Sequence, residues 1–315
     1  MSFYLCYVLL FIILTLYNIK KTYYIILMIK IKIFEGGLMN KGTFNSEYLK
    51  NAVLSCFNPD NVDILYKDKL VCITADDDFT HAIIINTAMP SLKIPKENVI
   101  GLAWEPIKFL RITQEFIIYA IKHIGKYYIG DKSNLPDTFI EGYGYLTYNN
   151  HTPKEISQKI KKMSIVLSHK QLAPGHSYRH SLVKCILQNN IPVDIFGRGC
   201  NFYNKNDERV KGQFKDSEPY LNYFFTISIE NFRSNHYFSE KIINPLLYDC
   251  CPIYLGCHNI NTYLNDGSIQ MVGNIKDDME LIVKILLNPL DYYKKLDKEY
   301  IINKTNLLTN LDILF

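Results

Sequence analysis

Short, nearly continuous apolar runs recur along the 315-residue chain, each closing on a polar or helix-breaking residue. Leu70–Thr74, His81–Asn86 and Val99–Trp104 form one set, and Ser164–Ser168, Val193–Gly197, Tyr223–Ile229 and Pro252–Gly256 form another. Runs of this kind, without polar alternation, are strands covered on both faces, as in a parallel sheet flanked by helices. Met28–Phe34 alternates like a first strand, ended by Glu35-Gly36-Gly37, and Ile117–Ile124 is expected as a further one. Between the runs, Asn45–Phe57, Arg179–Gln188 and Tyr237–Tyr248 are expected to be helical.

The same grammar is written twice. The polar stretch Tyr148–Pro153, followed by Lys154, Lys159, Lys161 and Lys162, separates the two sets and marks a domain boundary. The expectation is an α/β chain of two Rossmann-like lobes, residues 28–153 and 154–315, facing a central cleft. Ligands of such sheets bind beyond the carboxyl ends of the strands, so residues just after each run matter most. No aromatic platform interleaves with the lysines, which read as a solvated face and not as a nucleic-acid site. A net charge of +4 is too weak for wrapping DNA but suits a small anionic ligand, and 48% apolar residues exclude wholesale disorder. The cysteines form no CxxC pair, so a structural zinc is not expected and the thiols read as buried.

Residues 1–27 carry two open readings. Residues 1–19 hold no charged side chain, and as a helix they would reach about 28 Å, enough to cross a bilayer. Phe3–Leu16 is nearly all apolar, so membrane association through residues 3–19 is one expectation. Lys20, Lys21, Lys30 and Lys32 follow the run, which would keep the body cytosolic; whether such an anchor is Golgi-type or faces the cytoplasm is open. The other reading is a non-native extension, with a soluble cytoplasmic product starting at Met28. A cleaved signal peptide is disfavoured by the missing basic n-region and cleavage site.

Chemistry gathers after Tyr223–Ile229. The strand delivers Glu230-Asn231, and Tyr237-Phe238-Ser239-Glu240-Lys241 then opens an apolar helix. A helix N-terminus with an adjacent lysine attracts phosphate, and carboxylates accept hydrogen bonds from sugar hydroxyls, so a nucleotide sugar would fit. An ordinary capped helix, with Ser239 as N-cap and an ion pair on its first turn, explains the same residues.

The stretch Glu230–Lys241, with Pro252–Gly256 behind it, resembles the donor-binding signature of the α-1,3-fucosyltransferases, glycosyltransferase family 10: E-N-x5-Y-x-[TS]-E-K, then P-hydrophobic-hydrophobic-x-G. Ser164–Ser168, Arg179 and Asp194–Gly197 look like the same family's strand–Arg–strand segment, and the resemblance covers about residues 160–260. It implies a GT-B fold, GDP-fucose as donor, inverting transfer to a hydroxyl of a glycan acceptor, and no required metal or cofactor. Arg179 and Lys241 would hold the pyrophosphate, while Asn231, Tyr237 and Glu240 would line the donor site. The chain departs from the pattern at Phe232, where members usually have Ser or Thr, and at His236, where Gly is frequent. Both departures bear on the shape of the sugar pocket.

Inversion needs a carboxylate to take the acceptor's proton on the face opposite the leaving diphosphate. Glu105, in Ala103-Trp104-Glu105-Pro106 just past a strand, looks like the family's base. Rival motifs are weaker. Asp76-Asp77-Asp78 follows a strand as in metal-dependent GT-A glycosyltransferases, where Asp76 and Asp78 would hold a divalent cation. His169, His176 and His180 flank Arg179; they could touch an anionic donor, but so loosely spaced they are expected at the surface, and Gly197-Arg198-Gly199 reads as a tight turn. A non-catalytic GDP-sugar- or glycan-binding module is the alternative from another class.

Overall fold

The computed structural model describes residues 28–36, 46–149, 158–215 and 217–315. The anchor or extension assigned to residues 1–27, and the core of the boundary at 150–157, lie outside them. Among the described residues no helix is long and apolar enough to cross a membrane.

The first sheet comprises β1 (Ile29–Gly36), β2 (Ile64–Tyr66), β3 (Lys69–Thr74), β4 (His81–Asn86), β5 (Val99–Leu102), β6 (Lys126–Ile129) and β7 (Phe139–Glu141). Its order is β2-β3-β1-β4-β5-β6-β7, parallel except for the β2–β3 hairpin. The second sheet comprises β8 (Lys161–Val166), β9 (Asp194–Phe196), β10 (Val210–Gly212), β11 (Tyr223–Ile229), β12 (Cys251–Leu255) and β13 (Ile269–Gln270). It is parallel throughout, in the order β10-β9-β8-β11-β12-β13. The first lobe carries α1 (Ser46–Phe57), α2 (Ile107–Leu110) and α3 (Gln114–His123). After β8 come α4 (Pro174–Gln188), α5 (Glu218–Leu221), α6 (Glu240–Leu247), α7 (Asn261–Leu264), α8 (Ile275–Leu287), α9 (Pro289–Tyr292), α10 (Lys298–Thr305) and α11 (Leu311–Leu314). Two Rossmann-like parallel sheets in one chain make a GT-B-type α/β fold.

In the second sheet the chain runs outward through β9 and β10, then returns beside β8 and runs the other way through β11, β12 and β13. The reversal leaves a crevice at the carboxyl ends of β8 and β11, where adjoining connections leave in opposite directions.

Three expectations are corrected. Ile117–Ile124 falls mainly in a helix, α3, not a strand: Thr113 caps it by accepting from the Phe116 amide, and Phe116 and Ala120, one turn apart, are its buried residues. The run's density of isoleucine hid that period. Leu70–Thr74 is buried only at Ile73 and Thr74, because β3 has nothing but the short β2 outside it. The lysines after the boundary are not simply solvated. Lys159 Nζ donates to the carbonyls of Tyr220, Leu221 and Tyr248 at 3.0, 2.9 and 2.6 Å, and Lys162 Nζ to that of Leu286. Lys161 pairs with Asp194.

The lobes share a core. Leu49, Val53 and Phe57 of α1 belong to one apolar cluster with Ile242, Ile243, Leu246 and Leu247 of α6. The chain's end also departs from the expected division at 154. Ile301, Leu307, Leu308, Leu311 and Leu314 join that cluster, Asn306 Nδ2 donates to the Phe57 carbonyl at 2.7 Å, and Phe315 packs on Tyr66 and His81. These apolar side chains find cover against the first lobe, so residues 306–315 complete it. The described cysteines are free thiols; Cys56, Cys200, Cys250, Cys251 and Cys257 are buried, but Cys72 is exposed.

Candidate active site

A cavity of about 520 Å³ opens at the crevice between β8 and β11. Its floor is the ends of those strands, Val166–Ser168 and Thr226–Ile229, and its walls include Arg179, Asn231, Glu240 and Lys241.

Close backbone contact builds the arginine side. The Gly175 amide donates to the Asn231 carbonyl at 3.0 Å, and a Cβ on Gly175 would stand 1.8 Å from the Glu230 carbonyl oxygen. Only glycine lets α4 begin against the end of β11. One turn on, buried Arg179 donates from Nε to the Gly175 carbonyl at 3.2 Å and from Nη2 to Asn231 Oδ1 at 2.6 Å. Burial lowers its pKa, opposed by Glu230 and Glu240, but a guanidinium keeps its charge.

Glu230 builds the lysine side. Its buried carboxylate accepts from the Ser239 amide at 2.9 Å and from the Ser239 hydroxyl at 2.9 and 2.8 Å. Ser239 in turn is the N-cap of α6, accepting from the Lys241 amide. Lys241 Nζ lies 2.8 Å from Glu240 Oε1 and 3.6 Å from Glu230 Oε2. Burial works against the ammonium, but the two carboxylates outweigh it and raise its pKa. Desolvation likewise opposes ionisation of Glu240, yet Lys241 holds that carboxyl below its ordinary value. The Glu240 side chain remains 46% exposed, open to a ligand.

The expected donor-site residues therefore divide. Arg179, Asn231, Glu240 and Lys241 line the cavity, whereas Glu230, Tyr237 and Ser239 are buried and do not. Glu230 and Ser239 hold the first turn of α6 in place; a sugar hydroxyl has no access to a carboxylate enclosed by its own chain. Tyr237 lies buried behind the site, its phenol pushed up first by burial and then by Glu230, Glu105 and Glu240.

Glu105 comes from the first lobe, past the end of β5. The Ala103 amide donates to the Tyr128 carbonyl at 2.9 Å and the Trp104 amide to Asn86 Oδ1 at 3.0 Å, which fixes the segment against neighbouring strand ends. Glu105 is not in the cavity wall, but it feels Lys241, Lys170 and Glu240 of the other lobe. Burial raises its pKa, and the two lysines pull against that rise.

Histidine placement differs from expectation. His176 and His180 are buried, and His169 and His176 line the cavity. His180 bonds the Ser168 carbonyl and the Tyr203 hydroxyl, which fixes α4 to the loop after β8. His176 Nδ1 accepts from the Ala173 amide at 3.2 Å, and burial, then Arg179 and Lys241, lower its pKa to about 4. Its spacing of three residues before Arg179, on one helix face, was the available signal. Gly197 forms the expected turn, with φ 102°, and reaches the cavity with Arg198. Asp77 and Asp78 pair with Lys32 and Lys30, and Asp76 bonds Thr74. No group of three potential metal ligands occurs among the described residues.

Residues 156–301 match the glycosyltransferase family 10 (fucosyltransferase) C-terminal family model. The resemblance carried by the Glu230–Lys241 motif thus extends across the second sheet and its helices. A putative fucosyltransferase, R654 of Acanthamoeba polyphaga mimivirus, is 28% identical over 99 residues, 30% of this chain and 16% of that protein. The aligned segment therefore spans well under two thirds of that relative. Among solved structures, an α1,3-fucosyltransferase with GDP aligns over 91% of this chain and 92% of its own at 14% identity and a TM-score of 0.49. The T4 phage β-glucosyltransferase aligns over 90% and 94% at 11% identity and a TM-score of 0.45.

Proposed function

We propose that this chain is an inverting glycosyltransferase that moves fucose from GDP-fucose to a hydroxyl of a glycan acceptor. The observation that carries it is the convergence of Arg179 and Lys241 on one cavity at the crevice of the second sheet, with Asn231 and Glu240 between their elements. Two fixed cations there neutralise a diphosphate, and they gain most as the diphosphate leaves and its charge grows. On this reading transfer requires no metal, so EDTA should leave activity intact. Glu240 accepts hydrogen bonds from hydroxyls of the nucleotide sugar.

Glu105 receives the acceptor's proton. Its carboxylate attracts the hydroxyl hydrogen as the oxygen attacks the anomeric carbon, and the bond to GDP breaks on the opposite face. The half-buried position that raises its pKa makes it a better base than an exposed glutamate.

The test is incubation with GDP-fucose and a mixed glycan acceptor pool. GDP release that requires acceptor supports the transferase. Binding of GDP-fucose with no turnover on any acceptor would favour a non-catalytic binding module and overturn the proposal.

A further inference from the structure

His176 is 6% exposed and lines the cavity. It sits in the first turn of α4, three residues before Arg179, the residue that reaches Asn231. Its Nδ1 accepts the Ala173 amide, the side-chain half of a capping box. An acceptor nitrogen carries no proton, so in the neutral ring the proton resides on Nε2. Among the described residues Nε2 has no hydrogen-bond partner. An N–H donor without a protein partner, on a largely buried residue that lines a cavity flanked by a guanidinium and an ammonium, is placed to meet an anionic acceptor.

We propose that His176 is a third diphosphate ligand: a neutral donor whose Nε2–H bonds a phosphate oxygen between Arg179 and Lys241. The inference rests on the donor reading of the cavity and adds to it. Two cations set the charge of the site but hold it from two sides, and the imidazole adds a fixed direction. Its tautomer is set by the backbone before any ligand arrives, so no reorganisation accompanies binding. The Ala173 bond holds the ring through the same turn whose glycine packs on β11, which links ring orientation to the Glu230–Asn231 backbone.

The variants separate the two nitrogens. His176→Asn keeps an acceptor near the Nδ1 position and removes the Nε2 donor; His176→Gln keeps a donor near Nε2. Calorimetry with GDP should show roughly 10- to 100-fold weaker binding for His176→Asn, the range for a hydrogen bond to a charged group, and partial recovery in His176→Gln. Guanosine, which lacks phosphate, should bind His176→Asn as it binds the wild type. GDP binding by His176→Asn at wild-type affinity, or equal loss for guanosine and GDP, overturns the inference alone. Failure of the wild type to bind GDP overturns the donor reading and this inference with it. A measurement on the unaltered protein guards against misfolding of the variants: in ¹⁵N-histidine spectra the His176 Nε2 proton should move downfield on saturation with GDP. An unmoved signal on a GDP-saturated protein likewise overturns the proposal.

Discussion

The two lobes meet the cleft in different ways. The second presents a site already knitted together. Asn231 accepts from Arg179 on one side of the crevice, and Glu230 receives Ser239 and pairs with Lys241 on the other. The first presents a carboxylate, Glu105, whose charged neighbours belong mostly to the other lobe. Binding an invariant diphosphate rewards rigid preorganisation, whereas taking a proton from an acceptor requires one base at the right distance. A site divided this way makes separate forecasts for binding and for turnover.

The largest effect should come from Glu105→Gln. Removing a general base costs about 10²- to 10⁴-fold in turnover, with GDP affinity unchanged because Glu105 is outside the cavity wall. Equal losses in GDP binding and turnover would break the division between lobes. The wild-type pH profile sharpens it. Only the ionised form serves as base, so kcat/KM should rise with pH through the Glu105 pKa, which burial places above the ordinary glutamate value. Lys170 holds that pKa down, so Lys170→Met should move the acid limb to higher pH; movement to lower pH contradicts the assignment.

Next come the cations. Arg179→Ala and Lys241→Ala should each weaken GDP binding by about 1.5–3 kcal/mol, measured by calorimetry. Arg179→Ala should also lower the melting temperature, since it leaves Asn231 Oδ1 without its donor beside the Gly175 contact. A Gly175→Ala variant isolates that contact: the added methyl forces α4 off β11, at a cost of about 1–3 kcal/mol in denaturant unfolding. Unchanged stability would show that the helix start is free to shift.

What was legible in the sequence follows the same division. The second lobe announced itself because its motif is local: Asn231, Tyr237, Ser239, Glu240 and Lys241 lie within one strand end and one helix start, and Ser239 is the N-cap. The resemblance to a family motif carried that, since an ordinary capped helix explains the same residues. Whether a residue faces the cavity or stands behind it was not legible, since Glu230 and Glu240 are chemically alike and only packing buries one. His176 stands out beside Arg179 in the sequence but is expected at the surface, because its burial beside Arg179 and Lys241 is made by packing far along the chain. In the first lobe the short β6 and β7 escaped notice, and the return of residues 306–315 depends on contacts with Phe57 and Tyr66 that no local pattern encodes.

The smallest predicted effect concerns how the lobes are held in register. Phe109, in the short helix α2 that follows Glu105-Pro106, meets Phe232, the residue after Asn231, edge to face at 4.6 Å between ring centres. Lys108 Nζ lies 6.0 Å from the Phe232 ring. This aromatic pair bridges the backbone that carries the proposed base and the backbone that carries the proposed donor ligand, and Phe232 stands where the resembled motif usually has Ser or Thr. Such pairs contribute about 0.5–1.5 kcal/mol beyond area burial. Phe109→Ala should therefore reduce kcat by about two- to tenfold by loosening Glu105. GDP binding, which is built within the second lobe, should hardly change. Phe232→Ser should do the same, and the double variant should be no worse than either single one, because both remove one contact. Additive losses in kcat, or a fall in GDP affinity matching the fall in turnover, would mean that the rings act separately and do not couple the two lobes.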